Sequence, residues 1–174
     1  DPSFCSYLIE ESRGIIGELP FKACFGGAPE VTDLNKRLIE TLPLPDTIRL
    51  LVVDDEAEIG AMVRDYFEGR RLPVFEVECA ANGVKALGAI ARQRPDVIIL
   101  DIKMPVMDGR EFYARMKQDG GTVPVIVFFD SISGEELAEM RKIGALAVIE
   151  KGARGSSLAA LMTLVKKLAY FSER

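Results

Sequence analysis

Two runs of four residues, Leu50-Leu51-Val52-Val53 and Val97-Ile98-Ile99-Leu100, contain no polar side chain. They are far too short to cross a bilayer. They are also too uniformly apolar for a strand with one wet face, and demand a sheet covered on both sides. Between and beyond them the period changes. Ile59, Met62, Val63, Tyr66 and Phe67 recur at helical spacing, and so do Val84, Leu87 and Ile90-Ala91. Phe75, Val77 and Cys79 alternate with Glu76 and Glu78, which predicts a half-exposed edge strand. Phe112 and Met116 mark a third helix, Val123 to Phe129 a fourth strand, Leu137 and Met140 a fourth helix. Ala145 to Ile149 read as a fifth strand, and Leu158, Leu161, Val165 and Leu168 as a fifth helix. Strands and helices that alternate in this way predict an α/β fold, a five-stranded, doubly wound parallel sheet with right-handed crossovers.

Upstream, Leu42-Pro43-Leu44-Pro45-Asp46 forms a connector, because two prolines in three residues cannot continue a helix. The chain of 174 residues therefore divides into residues 1–46, an N-terminal helical appendage and linker, and a main domain over 47–174. In the appendage Phe4, Tyr7, Leu8 and Ile15 suit one helix, and Leu34, Leu38, Ile39 and Leu42 a second one capped by Thr32 or Asp33. Two short helices bury little alone, so they are expected to pack on something. The appendage carries eight acids and four bases, the main domain 19 acids and 18 bases. Neither has the basic excess that drives nucleic-acid binding. Cys5, Cys24 and Cys79 are odd in number and far apart, which reads as reduced thiols in a cytoplasmic protein. The absence of histidine excludes a histidine triad, a histidine metal site and a phosphohistidine within these residues.

The chemistry is concentrated at strand ends. Asp54-Asp55 follows the first apolar run directly, and Asp101 follows the third strand directly. Ligands of open parallel sheets bind beyond the carboxyl ends of strands. If these two strands are neighbours, three carboxylates converge there. Packed like charges are costly, and a hard divalent cation such as Mg²⁺ removes that cost. An alternative is that Asp54-Asp55-Glu56 only caps the first helix. The matching placement of Asp101 favours the shared site. Lys151 ends the fifth strand, where its ammonium is placed to neutralise a phosphoryl group.

These pieces resemble the receiver domain of bacterial response regulators over about residues 47–171. The resemblance rests on Val52-Val53-Asp54-Asp55-Glu56, on Ala80 to Leu87, on the stretch from Pro95 to Gly109 that contains Leu100-Asp101-Ile102-Lys103-Met104-Pro105, and on Gly144-Ala145 and Lys151, all in order. It implies a flavodoxin-like fold with strand order 2-1-3-4-5. It further implies that Asp101 is the phosphoacceptor and that Mg²⁺ is held by Asp54, Asp55, Asp101 and the backbone carbonyl of Lys103. Lys151 would contact the phosphoryl group. The donor would be a sensor histidine kinase or phosphotransfer protein, with a downstream protein partner and a possible homodimer. Such a domain assists its own phosphorylation and is not a turnover enzyme. With no output domain after the last helix, output is expected from the N-terminal side, from sequence upstream of Asp1 or from a partner.

Four positions depart from the family pattern. Phe129 stands where a Thr or Ser hydroxyl is usual, and Asp130 where a small residue is usual. Val148 replaces the aromatic residue of the fifth strand, and Gly152 the proline after the lysine. Ser131, two residues past Phe129, would point the same way in an extended strand. The acceptor chemistry is expected without the usual switch. Two rivals stand beside this reading. A pseudo-receiver would keep the fold as a phosphorylation-independent interaction module. A phosphohydrolase using an aspartyl phosphate would need an Asp-x-Asp pair after the first strand, where this chain has Asp54-Asp55 instead.

Overall fold

The computed structural model describes residues 44–171, except for 72, 121–122, 131–132, 144–146 and 152–153. The two helices expected before residue 43, with Cys5 and Cys24, lie outside the described residues, as do Ser131 and Gly152. The elements alternate as strand β1 (Thr47–Val53), helix α1 (Ala57–Glu68), β2 (Val74–Ala80), α2 (Gly83–Arg92), β3 (Val97–Leu100), α3 (Gly109–Gln118), β4 (Val125–Phe129), α4 (Gly134–Ile143), β5 (Ala147–Glu150) and α5 (Arg154–Phe171). The strands form one parallel sheet in the order β2-β1-β3-β4-β5. Every residue of β3 is buried, as its uninterrupted apolar run demands.

Alternate residues of the central strands feed two cores. Leu50, Val52, Val97, Ile99, Ile126 and Phe128 face one side, where Val63 and Phe67 of α1 and Leu161, Val165 and Leu168 of α5 pack. Leu51, Val53, Ile98, Leu100 and Val125 face the other, against Ala86 and Ala89 of α2 and Phe112, Tyr113 and Met116 of α3. The Phe67 and Phe75 rings meet edge to face at 5.0 Å, tying α1 to β2. Each fully buried side chain of this size contributes roughly 1.5–3 kcal/mol.

Three local expectations change. Val84 is 52 % exposed, although its spacing suited a buried face. Helix α2 instead buries Gly83, Ala86 and Ala89. A Cβ on Gly83 would lie 2.7 Å from the Met107 side chain and 2.9 Å from Phe112, so the helix sits too close for larger residues. Cys79 shares its face of β2 with buried Phe75 and Val77 yet is exposed. Strand β4 begins at Val125 rather than Val123. Pro124 has no N–H to donate to a ladder, and its carbonyl accepts from Ile98 N–H at 2.9 Å.

Candidate functional site

The centre of the sheet builds the site. Strands β1 and β3 are neighbours, with Val53 opposite Leu100, so Asp54 and Asp101 leave the sheet side by side. Asp54 N–H donates to the Ala80 carbonyl at 3.0 Å, and Asp101 N–H to the Val53 carbonyl at 2.8 Å. These bonds fix both backbones where the strands end. Asp54 Oδ1 accepts from Glu56 N–H at 2.9 Å. Glu56 stands at the N-cap of α1 without a side-chain cap bond, so the acidic run does not serve mainly as a helix cap. Asp54, Asp55 and Asp101 each offer one oxygen, and all three oxygens lie within 4.8 Å of one another. Asp54 and Asp101 are buried and Asp55 is exposed, which leaves one open side.

Lys151 reaches this cluster from the end of β5. Its N–H donates to the Phe129 carbonyl at 2.7 Å, so the main chain of β4 sets its position. Its buried Nζ lies 2.8 Å from Asp54 Oδ2 and 3.7 Å from both Asp101 Oδ2 and Glu56 Oε1. The approach to Asp54 is off the hydrogen-bond line. That buried oxygen therefore has a charge partner but no aligned donor. Burial, then the neighbouring Asp54, push the Asp101 carboxyl up to about 6, with Lys151 opposing and Asp55 adding to the rise. Burial alone would lower Lys151, but the Asp54 and Asp101 carboxylates outweigh it and hold the ammonium above its ordinary range.

Hard oxygen donors that converge within 4.8 Å and an open side at Asp55 together suit a small divalent cation. Asp54, Asp55 and Asp101 are the residues that fit one. In front of them is a cavity of about 190 Å³ lined by Asp55, Glu56, Asp101, Ile102, Lys103, Phe129, Asp130 and Glu136. Phe129 and Asp130 thus stand at the pocket, as their strand-end positions suggested. The backbone of Val148 pairs with Val127 one strand away.

Two loop features shape the Asp101 side. A Cβ on Gly109 would lie 2.4 Å from the Asp101 carbonyl oxygen, so no larger residue fits there. Asp108 caps α3, its Oδ1 accepting from Arg110 N–H and Glu111 N–H, both at 2.9 Å. The sequence reading missed Glu56 and Glu136 as pocket residues. A signal for Glu136 was present in Ser133-x-x-Glu136, a capping box. Ser133 N–H donates to Glu136 Oε2 at 2.9 Å, and Glu136 N–H donates to Ser133 Oγ at 3.1 Å. The Ser133 N–H, with help from the Lys103 charge, holds the Glu136 carboxyl below its ordinary range.

A flavodoxin-like α/β sheet with an acidic pocket and a buried lysine at its carboxyl edge defines the class of protein. The chain belongs to the response regulator receiver domain family of two-component signalling, whose family model matches residues 50–163. Sporulation initiation phosphotransferase F of Bacillus subtilis is 33% identical over 103 residues, covering 59% of this chain and 81% of that protein. Protein-glutamate methylesterase/protein-glutamine glutaminase 3 of Hahella chejuensis is 39% identical over 104 residues, which is 59% of this chain but 29% of that protein. Among solved structures, chemotaxis protein CheY4 of Vibrio cholerae is 32% identical with a TM-score of 0.60, covering 68% of this chain and 98% of that one. No helix among the described residues is long and apolar enough to cross a membrane.

Proposed function

We propose that this receiver domain accepts a phosphoryl group on Asp101 from the phosphohistidine of a histidine kinase or phosphotransfer protein. The observation that carries the reading is the meeting of Asp54, Asp55 and Asp101 within 4.8 Å, with Lys151 Nζ 3.7 Å from Asp101. A carboxylate oxygen of Asp101 forms a bond to phosphorus as the bond from phosphorus to the histidine nitrogen breaks. The electron pair of that bond stays with the imidazole. Asp54, Asp55, Asp101 and the Lys103 carbonyl would hold Mg²⁺. When bound, the ion neutralises charge on the acceptor and on the incoming phosphoryl group. Lys151, already poised between Asp54 and Asp101, pairs with a phosphoryl oxygen. Gly109 keeps the acceptor loop close, and the open side at Asp55 admits the donor. In this role the domain is a substrate that assists its own modification rather than a turnover enzyme.

The test is intact mass after incubation with acetyl phosphate and Mg²⁺. One phosphate adduct on the wild-type chain, absent from Asp101→Asn, is expected. An adduct that persists in Asp101→Asn would move the acceptor elsewhere. No adduct on the wild-type chain would favour an interaction module that works without phosphorylation.

A further inference from the structure

The pocket in front of Asp101 carries more charge than the proposed transfer uses. Besides Asp101, the described residues that line it include Asp55, Glu56, Asp130 and Glu136 against one base, Lys103. In the proposed reaction a divalent cation and Lys151 balance Asp54, Asp55 and Asp101. Glu56, Asp130 and Glu136 then outnumber Lys103 at the mouth. Glu56 stands beside Lys151, its Oε1 3.7 Å from Nζ. Asp130 and Glu136 hold neither the ion nor the phosphoryl group, and they come from separate elements. Asp130 follows the last residue of β4 and is exposed, while Glu136 is half-buried in the first turn of α4.

The Glu136 carboxylate is fixed at this place, because its Oε2 accepts from Ser133 N–H at 2.9 Å. A glutamine closes the same kind of cap, so the cap does not call for the charge. Arg110 of α3 is engaged by Glu139 at 2.9 Å. Residues 1–46, with eight acids and four bases, bring no basic excess of their own.

A phosphoryl group arrives with close to two negative charges. A cleft lined by one sign of charge concentrates its field, so this mouth opposes a donor that brings only negative charge. A protein that carries lysine or arginine beside its phosphohistidine meets the same carboxylates as favourable contacts, and complementary rim charge speeds its encounter. We propose, resting on the reading of Asp101 as phosphoacceptor, that Asp130 and Glu136 determine donor specificity. They hold back free acyl phosphates and admit a protein donor whose phosphohistidine is flanked by basic residues.

The experiment compares the full wild-type chain with Asp130→Asn/Glu136→Gln at saturating Mg²⁺ and low salt. Three donors are used: acetyl phosphate, a phosphohistidine peptide flanked by arginine, and the same peptide flanked by serine. Initial rates of adduct formation are read by intact mass, with Asp101→Asn as the blank. Wild type is expected to take phosphate from the arginine peptide roughly tenfold faster than from the serine peptide. In the double variant that preference falls below about threefold, and the acetyl phosphate rate rises about fivefold. High salt shrinks the wild-type preference, since exposed charges are screened. Equal rates from the two peptides in wild type, a preference that survives in the double variant, or acceleration of all three donors by one factor overturns the proposal. Transfer from no donor would instead overturn the phosphorylation reading on which it rests. If the double variant does not fold, Asp130→Asn alone is read in the same ways.

Discussion

At Asp101, burial and the neighbouring Asp54 make the protonated form the more comfortable one in the metal-free fold. Its carboxyl ionises near 3.8 when free and at about 6 when folded. Between those values the folded chain holds a proton that the unfolded chain has lost, so stability falls as pH rises through the window. Above it the whole penalty remains. In chelator, Asp101→Asn is therefore expected to melt higher than wild type at neutral pH, with a flatter stability profile across the window. Added Mg²⁺ should raise the melting temperature of wild type more than that of the variant. An identical pH profile for the two chains would exclude Asp101 as the source. Val106 presents a different strain. Its φ is 70°, which a β-branched residue rarely adopts, and Met107 N–H donates to the Pro105 carbonyl across it at 2.8 Å. The side chain is 81 % exposed and contributes no buried area that would offset the strain. Val106→Gly is expected to stabilise the fold by about 1 kcal/mol in urea unfolding, relief of about 1–2 kcal/mol being partly cancelled by glycine's extra unfolded-state freedom. A loss of stability would show that the valine side chain does something its exposure does not reveal.

Among the elements, α3 carries the loop that follows Asp101, and Asp108 ties its first turn with two N–H bonds. Asp108→Ala leaves those donors to water and is expected to cost about 1 kcal/mol. Gly109 N–H donates to the Ile102 carbonyl at 2.8 Å, so fraying should spread to the loop beside Asp101. Faster amide exchange at Gly109 through Glu111 in the variant checks this, with unchanged exchange arguing against the cap. Helix α2 shows how element packing departs from pattern. Its apolar spacing pointed to Val84 and Leu87, yet its closeness to α3 selects Gly83, Ala86 and Ala89 for the buried side. Periodicity reports which residues could face a core; the separation of the elements decides which size fits.

Across the whole molecule, the proposed phosphorylation has to be transmitted from the pocket to a surface. A hydroxyl at the end of β4 would bond the phosphoryl group there, but Phe129 has none and lines the pocket with Asp130. A charge-assisted bond of that kind is worth roughly 1.5–3 kcal/mol, comparable to an allosteric coupling of about 1–3 kcal/mol. Its loss removes most of what would drive a two-state change. Beryllofluoride, a phosphoryl mimic, is therefore expected to move NMR signals around Asp54, Asp101 and Lys151 and to leave residues 134–150 nearly unshifted. Large shifts across α4 and β5 would reveal another route. One such route is the 2.9 Å pair of Arg110 and Glu139 that joins α3 to α4, with Lys103 and Glu136 both lining the pocket beside it.

The alternation of apolar runs with helical stretches made the parallel α/β fold legible from residues alone, because a strand buried on both faces cannot hide its composition. The strand-end positions of Asp54, Asp55, Asp101 and Lys151 were legible for the same reason, since the end of each apolar run marks the edge of the sheet. What the chain order could not specify was distance. That β1 lies beside β3, that Lys151 leans on Asp54 rather than Asp101, and that Glu136 reaches the same pocket all depend on contacts between residues far apart in sequence. The exposure of Cys79 and Val84 and the bonds from Arg64 and Glu68 to the Val77 backbone are of this kind too. Local pattern is set by each residue's neighbours in the chain, whereas a site's geometry is set by how closely whole elements approach.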